Sequence, residues 1–127
     1  MPNPYARGAA FEGRIRQALE AAGWLVLRSA GSHTPVDLVA WGPHGQLWLI
    51  QAKASSTARP SPAERLAWLD WSGRTGGIPV LVTRGPRVGR ARPWVWQAYL
   101  AGAYRALPDP TGPETPHCAR RRGSADG

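Results

Sequence analysis

Apolar residues recur along this chain at two different spacings, and the switches between them mark its elements. Phe11, Ile15, Ala18/Leu19 and Ala22 return every three to four residues, the period of one helix face. Asn3-Pro4 offers a cap and a first helical residue ahead of them, and Gly23 a stop, so a helix is predicted over about 4–22. "WLVLR" (24–28) reads as a short strand, followed by a polar "SAGSHTP" loop. Two further apolar runs, near 36–41 and 47–53, flank a Gly/Pro turn and read as a hairpin.

"STARPSP" is a connector ending in Ser61-Pro62-Ala63-Glu64, a capping box with Pro at the first helical position. A second helix is predicted over 62–75, closed by Gly76-Gly77. "IPVLVT" (78–83) has the unbroken apolar character of a strand buried on both faces. An Arg/Gly/Pro loop follows, then a last strand at 93–100 with a short helix allowed after it. From 107 to 127 the composition shifts to Pro, Gly, Arg and Ser, and a disordered tail is expected behind a folded domain of residues 1–106. The order α-β-β-β-α-β-β implies an α/β protein, a central mixed β-sheet flanked by helices rather than a regular βαβ series.

The chain has 127 residues, enough for one core and short for two. Its net charge is +8 and is unevenly placed: residues 1–106 carry 13 Lys/Arg against five Asp/Glu, whereas the remainder is balanced. A basic folded part most often means a polyanionic partner such as nucleic acid. Coding bias would exchange Lys for Arg without creating that excess. The single cysteine, Cys118, excludes an internal disulfide framework. No apolar run reaches membrane-spanning length and no signal-peptide core opens the chain, so an intracellular, cytoplasmic protein is expected.

Against this background, Lys53 is unusual: it is the only lysine beside 15 arginines. In strand 47–53 it shares a face with Leu47, Leu49 and Gln51. If the turn 42–46 centres on His44, Asp37 lies opposite Gln51; a slip of one residue puts it opposite Ile50. In the first register a carboxylate, an amide oxygen and an ammonium converge, a cradle for a hard divalent cation with a phosphate against it. A lysine beside an attacking water can hold or lose a proton there, which arginine cannot. Spacing alone leaves ordinary roles open: Asp37 ending a loop, Gln51 a tolerated polar residue, Lys53 exposed at a strand end.

With these residues placed, the chain resembles the archaeal-type Holliday junction resolvases (Hjc-like) of the PD-(D/E)xK nuclease superfamily. Four blocks carry the resemblance in order: "RGAAFEGRIRQALEAAGW", "VLRSAGSHTPVDLVAW", "LWLIQAKAS" and "AERLAWLDWSGRTGGIPVLVT", together spanning about residues 6–84. The resemblance implies a restriction-endonuclease-like fold, a homodimer, and Mg²⁺-dependent cutting of four-way DNA junctions, with Mn²⁺ as an alternative ion. It implies a catalytic set of Glu12, Asp37, Gln51 and Lys53, with Glu12, Asp37 and Gln51 as metal ligands. It also implies DNA contacts by Arg7, Arg28, Ser29 and Ser32. Gln51 stands where most members carry Glu, and Gly13 where many carry Arg; Arg14 and Arg16 are substitutes for the latter. A flap- or restriction-type nuclease of the same superfamily, or a non-catalytic junction-binding module, are the alternatives.

Other residues take two readings each. By pattern alone, Glu12 pairs with Arg16 at i,i+4; by resemblance it serves the metal. Arg28 either grips phosphate or is a sheet-edge charge. Arg84, Arg87, Arg90 and Arg92 cluster in one loop without interleaved acids, as phosphate contacts do. The "RRR" of 120–122 adds a weaker basic patch. Trp94, Trp96 and Tyr99 are candidates for a dimer contact or for the core, and Trp24, Trp41, Trp48, Trp68 and Trp71 for the core. Glu64 has a sufficient role in the capping box, and no histidine pair has zinc-ligand spacing.

Overall fold

The computed structural model describes residues 4–29, 34–90 and 92–111, with side chains from Gly8 onward. Helix α1 (Pro4–Ala21) is followed by strands β1 (Leu25–Arg28), β2 (Leu38–Trp41) and β3 (Leu47–Lys53), helix α2 (Pro62–Thr75), and strands β4 (Ile78–Arg84), β5 (Trp94–Leu100) and β6 (Ala103–Ala106). The six strands form one sheet in the order β1-β2-β3-β4-β5-β6. Every neighbouring pair is antiparallel except β3 and β4. Parallel neighbours require a crossover, and α2 is that crossover.

The helices cover opposite faces. Phe11, Ile15 and Leu19 of α1, all fully buried, pack on Leu38, Ala40, Trp48, Ile50, Val80, Val82 and Trp96. Trp68 of α2 packs on Val36, Leu49 and Leu81 on the other face. With both faces covered, the middle strands are buried residue after residue, which is why 78–83 reads as an unbroken apolar run. Trp68 also donates Nε1–H to the Leu49 carbonyl at 2.9 Å, so the largest fully buried side chain leaves no unmet donor.

The capping box forms as expected, and Gly76, at φ 79°, closes α2 in the left-handed conformation. The end of the fold departs from the sequence reading. A sixth strand, not a short helix, follows β5, reached through a turn in which both Ala101 (φ 53°) and Gly102 (φ 81°) are left-handed. Packing then continues past residue 106: Leu107 donates its N–H to Trp96 at 2.9 Å and rests against the core. Residues 112–127, with Cys118 and the "RRR" segment, lie outside the described residues. Trp96 is buried, while Trp94 and Tyr99 are half-buried, Trp94 packing on the α1-side core and Tyr99 stacking against Trp68. Trp41 goes the other way, at 43% exposure.

Candidate active site

The hairpin keeps the register centred on His44, pairing Trp41 with Leu47 and Leu38 with Ile50. At Asp37 the chain leaves the ladder. The Asp37 N–H bonds the Ile50 carbonyl at 2.8 Å, its carbonyl accepts from Ser29 N–H at 2.9 Å, and Oδ2 takes the Ala52 N–H at 2.8 Å. The side chain thus supplies the rung that the backbone no longer makes. Gln51, only 3% exposed, donates Nε2–H to the Pro35 carbonyl at 2.7 Å, which leaves its oxygen for a ligand. Lys53 ends β3 on the same face as Gln51.

Asp37, Gln51 and Lys53 line one cleft of about 320 Å³, together with Thr34, Pro35, Ala63, Glu64 and Ala67. Thr34 was not singled out from the sequence, and Glu64 was given only its capping role, whereas it also lines the cleft. Thr34 donates its hydroxyl hydrogen to the Val36 carbonyl at 2.8 Å, so in its 2.7 Å contact with Ser29 the serine is the donor. This chain of hydroxyls ties the end of β1 to the segment that presents Asp37. Glu64 arrives from the first turn of α2, with Oε1 3.8 Å from Lys53 Nζ. Its place in "SPAE" was visible in the sequence, but the path of the connector back to β3 was not.

Burial is the main influence on Asp37 and raises its pKa from 3.8 to about 6; the Ala52 N–H opposes it, the Glu12 charge adds to it, Lys53 opposes and Glu64 adds. The cleft therefore holds a carboxylate whose charge the protein alone satisfies poorly. Among the described residues no group of three His, Cys, Asp or Glu side chains is arranged as a metal cage.

Glu12 is not on the cleft wall. Its Oε1 lies 3.2 Å from Arg28 Nε, so its partner is Arg28 rather than Arg16, and it acts on Asp37 through its charge. Arg28 remains 43% exposed beside it. Arg84 sits across the sheet. Lys53 pairs with Thr83, so the next residue points to the α1 face, where the Arg84 guanidinium lies 5.0 Å from the Phe11 ring centre. Burial, then the charges of Arg14 and Arg92, lower its pKa. Its Nε is buried without a hydrogen-bond partner among the described residues. Arg87 and Arg90 are exposed in the β4–β5 loop. Ser32 and the side chain of Arg7 lie outside the described residues.

A mixed sheet with helices on both faces, and the cleft where β3 ends, is a restriction-endonuclease-like fold. The family model of the archaeal Holliday junction resolvase (hjc) matches residues 3–99, and the chain belongs to that family. The crossover junction endodeoxyribonuclease Hjc of Methanocaldococcus jannaschii is 39% identical over 59 residues, a match spanning 46% of this chain and 43% of that protein. The chain thus matches less than half the length of this relative. The structure of Hjc from Archaeoglobus fulgidus, a Holliday junction resolvase, superposes with a TM-score of 0.55 at 18% identity, covering 75% of this chain and 82% of that one.

Proposed function

We propose that this chain is a structure-selective endodeoxyribonuclease that resolves four-way DNA junctions by metal-dependent hydrolysis. The observation that carries the reading is a carboxylate, a carboxamide oxygen and an ammonium on one cleft wall, in a member of the Hjc family. The donors fit a hard divalent cation. Asp37 is a carboxylate disfavoured by burial, and the Gln51 oxygen is a neutral donor held in place by the bond from Nε2 to Pro35. Mg²⁺ takes one or two carboxylates and keeps several waters, which suits so small a set; Mn²⁺ is the alternative. When bound, such an ion supplies positive charge against the phosphate and acidifies water.

The chain's own residues account for the rest. Lys53 sets its ammonium against the scissile phosphate or the attacking water. Glu12 serves as the charge beside Asp37, with Arg28 as its partner. Arg28, Ser29, Arg84, Arg87 and Arg90 contact the DNA backbone, which positions the substrate without reading its sequence. A two-fold junction suits a homodimer, one cut per subunit. The exposed apolar side chains on the β1–β2 edge, Leu25, Leu27 and Trp41, are the surface for the second copy. Among the described residues no helix is long and apolar enough to cross a membrane, and the cytoplasm is the proposed place of action.

A second reading, a non-catalytic junction-binding module, draws on Gln51, whose neutral amide leaves the cleft one carboxylate short of most relatives. End-labelled four-way junctions and linear duplexes of the same sequence, with Mg²⁺, Mn²⁺ or EDTA, separate the two. Paired symmetric nicks on junctions alone are expected, lost in Asp37→Ala and Lys53→Ala while binding persists. Tight binding with no cut in either metal would establish the binding module instead.

A further inference from the structure

The oxygen of Glu64 that faces Lys53 is the oxygen held by the α2 cap. Glu64 Oε1 accepts Ser61 N–H at 2.8 Å, and Ser61 Oγ accepts Glu64 N–H at 3.1 Å. The same Oε1 lies 3.8 Å from Lys53 Nζ, a side chain only 28% exposed. Exposed ion pairs usually contribute little, because two mobile side chains must be ordered together. Here the capping box orders the carboxylate whether or not the lysine is present, so only the lysine stem has to settle. The contact therefore acts more as a guide for Lys53 than as a source of stability. Glu64 also lines the cleft that holds Asp37 and Gln51, where Gln51 brings no charge of its own.

We propose that Glu64 is a positioning residue for Lys53: from the first turn of α2 it holds the ammonium at the cleft and adds a second carboxylate beside Asp37. Its consequence for cleavage rests on the nuclease reading, whereas the placement of Lys53 does not. Lys53 is the only lysine of the chain, so its amine can be followed alone. The first measurement uses the full chain and needs no activity. The protein is acylated with a water-soluble N-hydroxysuccinimide ester and the products are mapped by mass spectrometry, with the α-amine as internal reference. Glu64→Gln keeps a residue that closes capping boxes but removes the charge. Glu64→Gln and Glu64→Ala are each expected to raise Lys53 acylation relative to the α-amine by about threefold, and 1 M NaCl to do the same in the wild type by screening the pair.

The second measurement is single-turnover cutting of a four-way junction. Glu64→Gln is expected to lower the rate constant by about tenfold, less than the roughly hundredfold or more that a proton-transferring group itself contributes, because Glu64 acts through Lys53, with junction affinity and unfolding midpoint unchanged. A residue needed only for the fold would move the midpoint and leave Lys53 labelling alone. Unchanged acylation in both variants, or an unchanged cutting rate in Glu64→Gln, overturns the inference. If the wild type cuts nothing, the nuclease reading fails, and the acylation result still decides whether Glu64 holds Lys53.

Discussion

Asp37 accepts the backbone N–H of Ala52 through Oδ2 at 2.8 Å, so one carboxylate both closes the β2–β3 hairpin and lines the cleft. In the proposed nuclease, folding and metal binding draw on the same group, and burial sets them in tension.

The tension has a sign. The folded pKa of Asp37, raised by burial to about 6, exceeds the ordinary value of 3.8, so the folded state binds this proton more tightly than the unfolded chain. The associated stability is complete below pH about 4 and is lost as pH rises through about 6. Asp37→Asn keeps an oxygen for Ala52 and removes the charge. It is expected to stabilise the metal-free protein at pH 7.5 by up to about 3 kcal/mol, with the gap closing by pH 4. Thermal unfolding at both pH values checks this; equal midpoints at pH 7.5 would refute it.

A cation that binds Asp37 competes with that proton. Without DNA, MgCl₂ or MnCl₂ should raise the unfolding midpoint at pH 7.5, less so at pH 5, and EDTA should reverse the shift. Asp37→Asn should respond weakly or not at all. A shift of the same size in the variant would place the ion elsewhere.

Gln51→Glu adds a second acid to the cleft but removes the donor to Pro35, 2.7 Å away, and sets a carboxylate against a carbonyl. The metal-free variant is expected to lose about 1–3 kcal/mol in urea unfolding at pH 7.5, the usual cost of an unmet buried partner. Saturating Mg²⁺ should recover much of this. Undiminished stability in EDTA would show that the Pro35 contact does not hold the loop.

Arg84 lies with Arg14 and Arg92 so that their charges oppose its own. Arg84→Gln is therefore expected to leave the unfolding midpoint equal or higher. It should weaken junction binding and reduce the slope of log K against log salt by about 1. An unchanged slope, measured from 50 to 200 mM salt, would remove Arg84 from the DNA surface.

Both helices were legible in the sequence, because their ends are local events. Pro62, the Ser61–Glu64 box and left-handed Gly76 bound α2 within single turns, and Pro62–Thr75 is the span expected. A hairpin carrying Asp37, Gln51 and Lys53 was legible too, with two registers one residue apart left open; the structure has the one centred on His44. Tertiary structure decided what lies across connectors. Ala101 takes a left-handed turn that its residue type does not announce, and β6 exists because it pairs with β5. Trp94 and Trp96 pack on the α1 side and Tyr99 on the α2 side because the two helices take opposite faces of the sheet, and which helix covers which face is not written in any one strand. Glu12 meets Arg28, and Glu64 meets Lys53, because packing α1 and α2 on opposite faces brings the middle of α1 and the first turn of α2 to the strand ends. Local hydrogen bonds and sterics act over a few residues; which distant side chains meet depends on how apolar faces are buried, and that is a property of the whole fold.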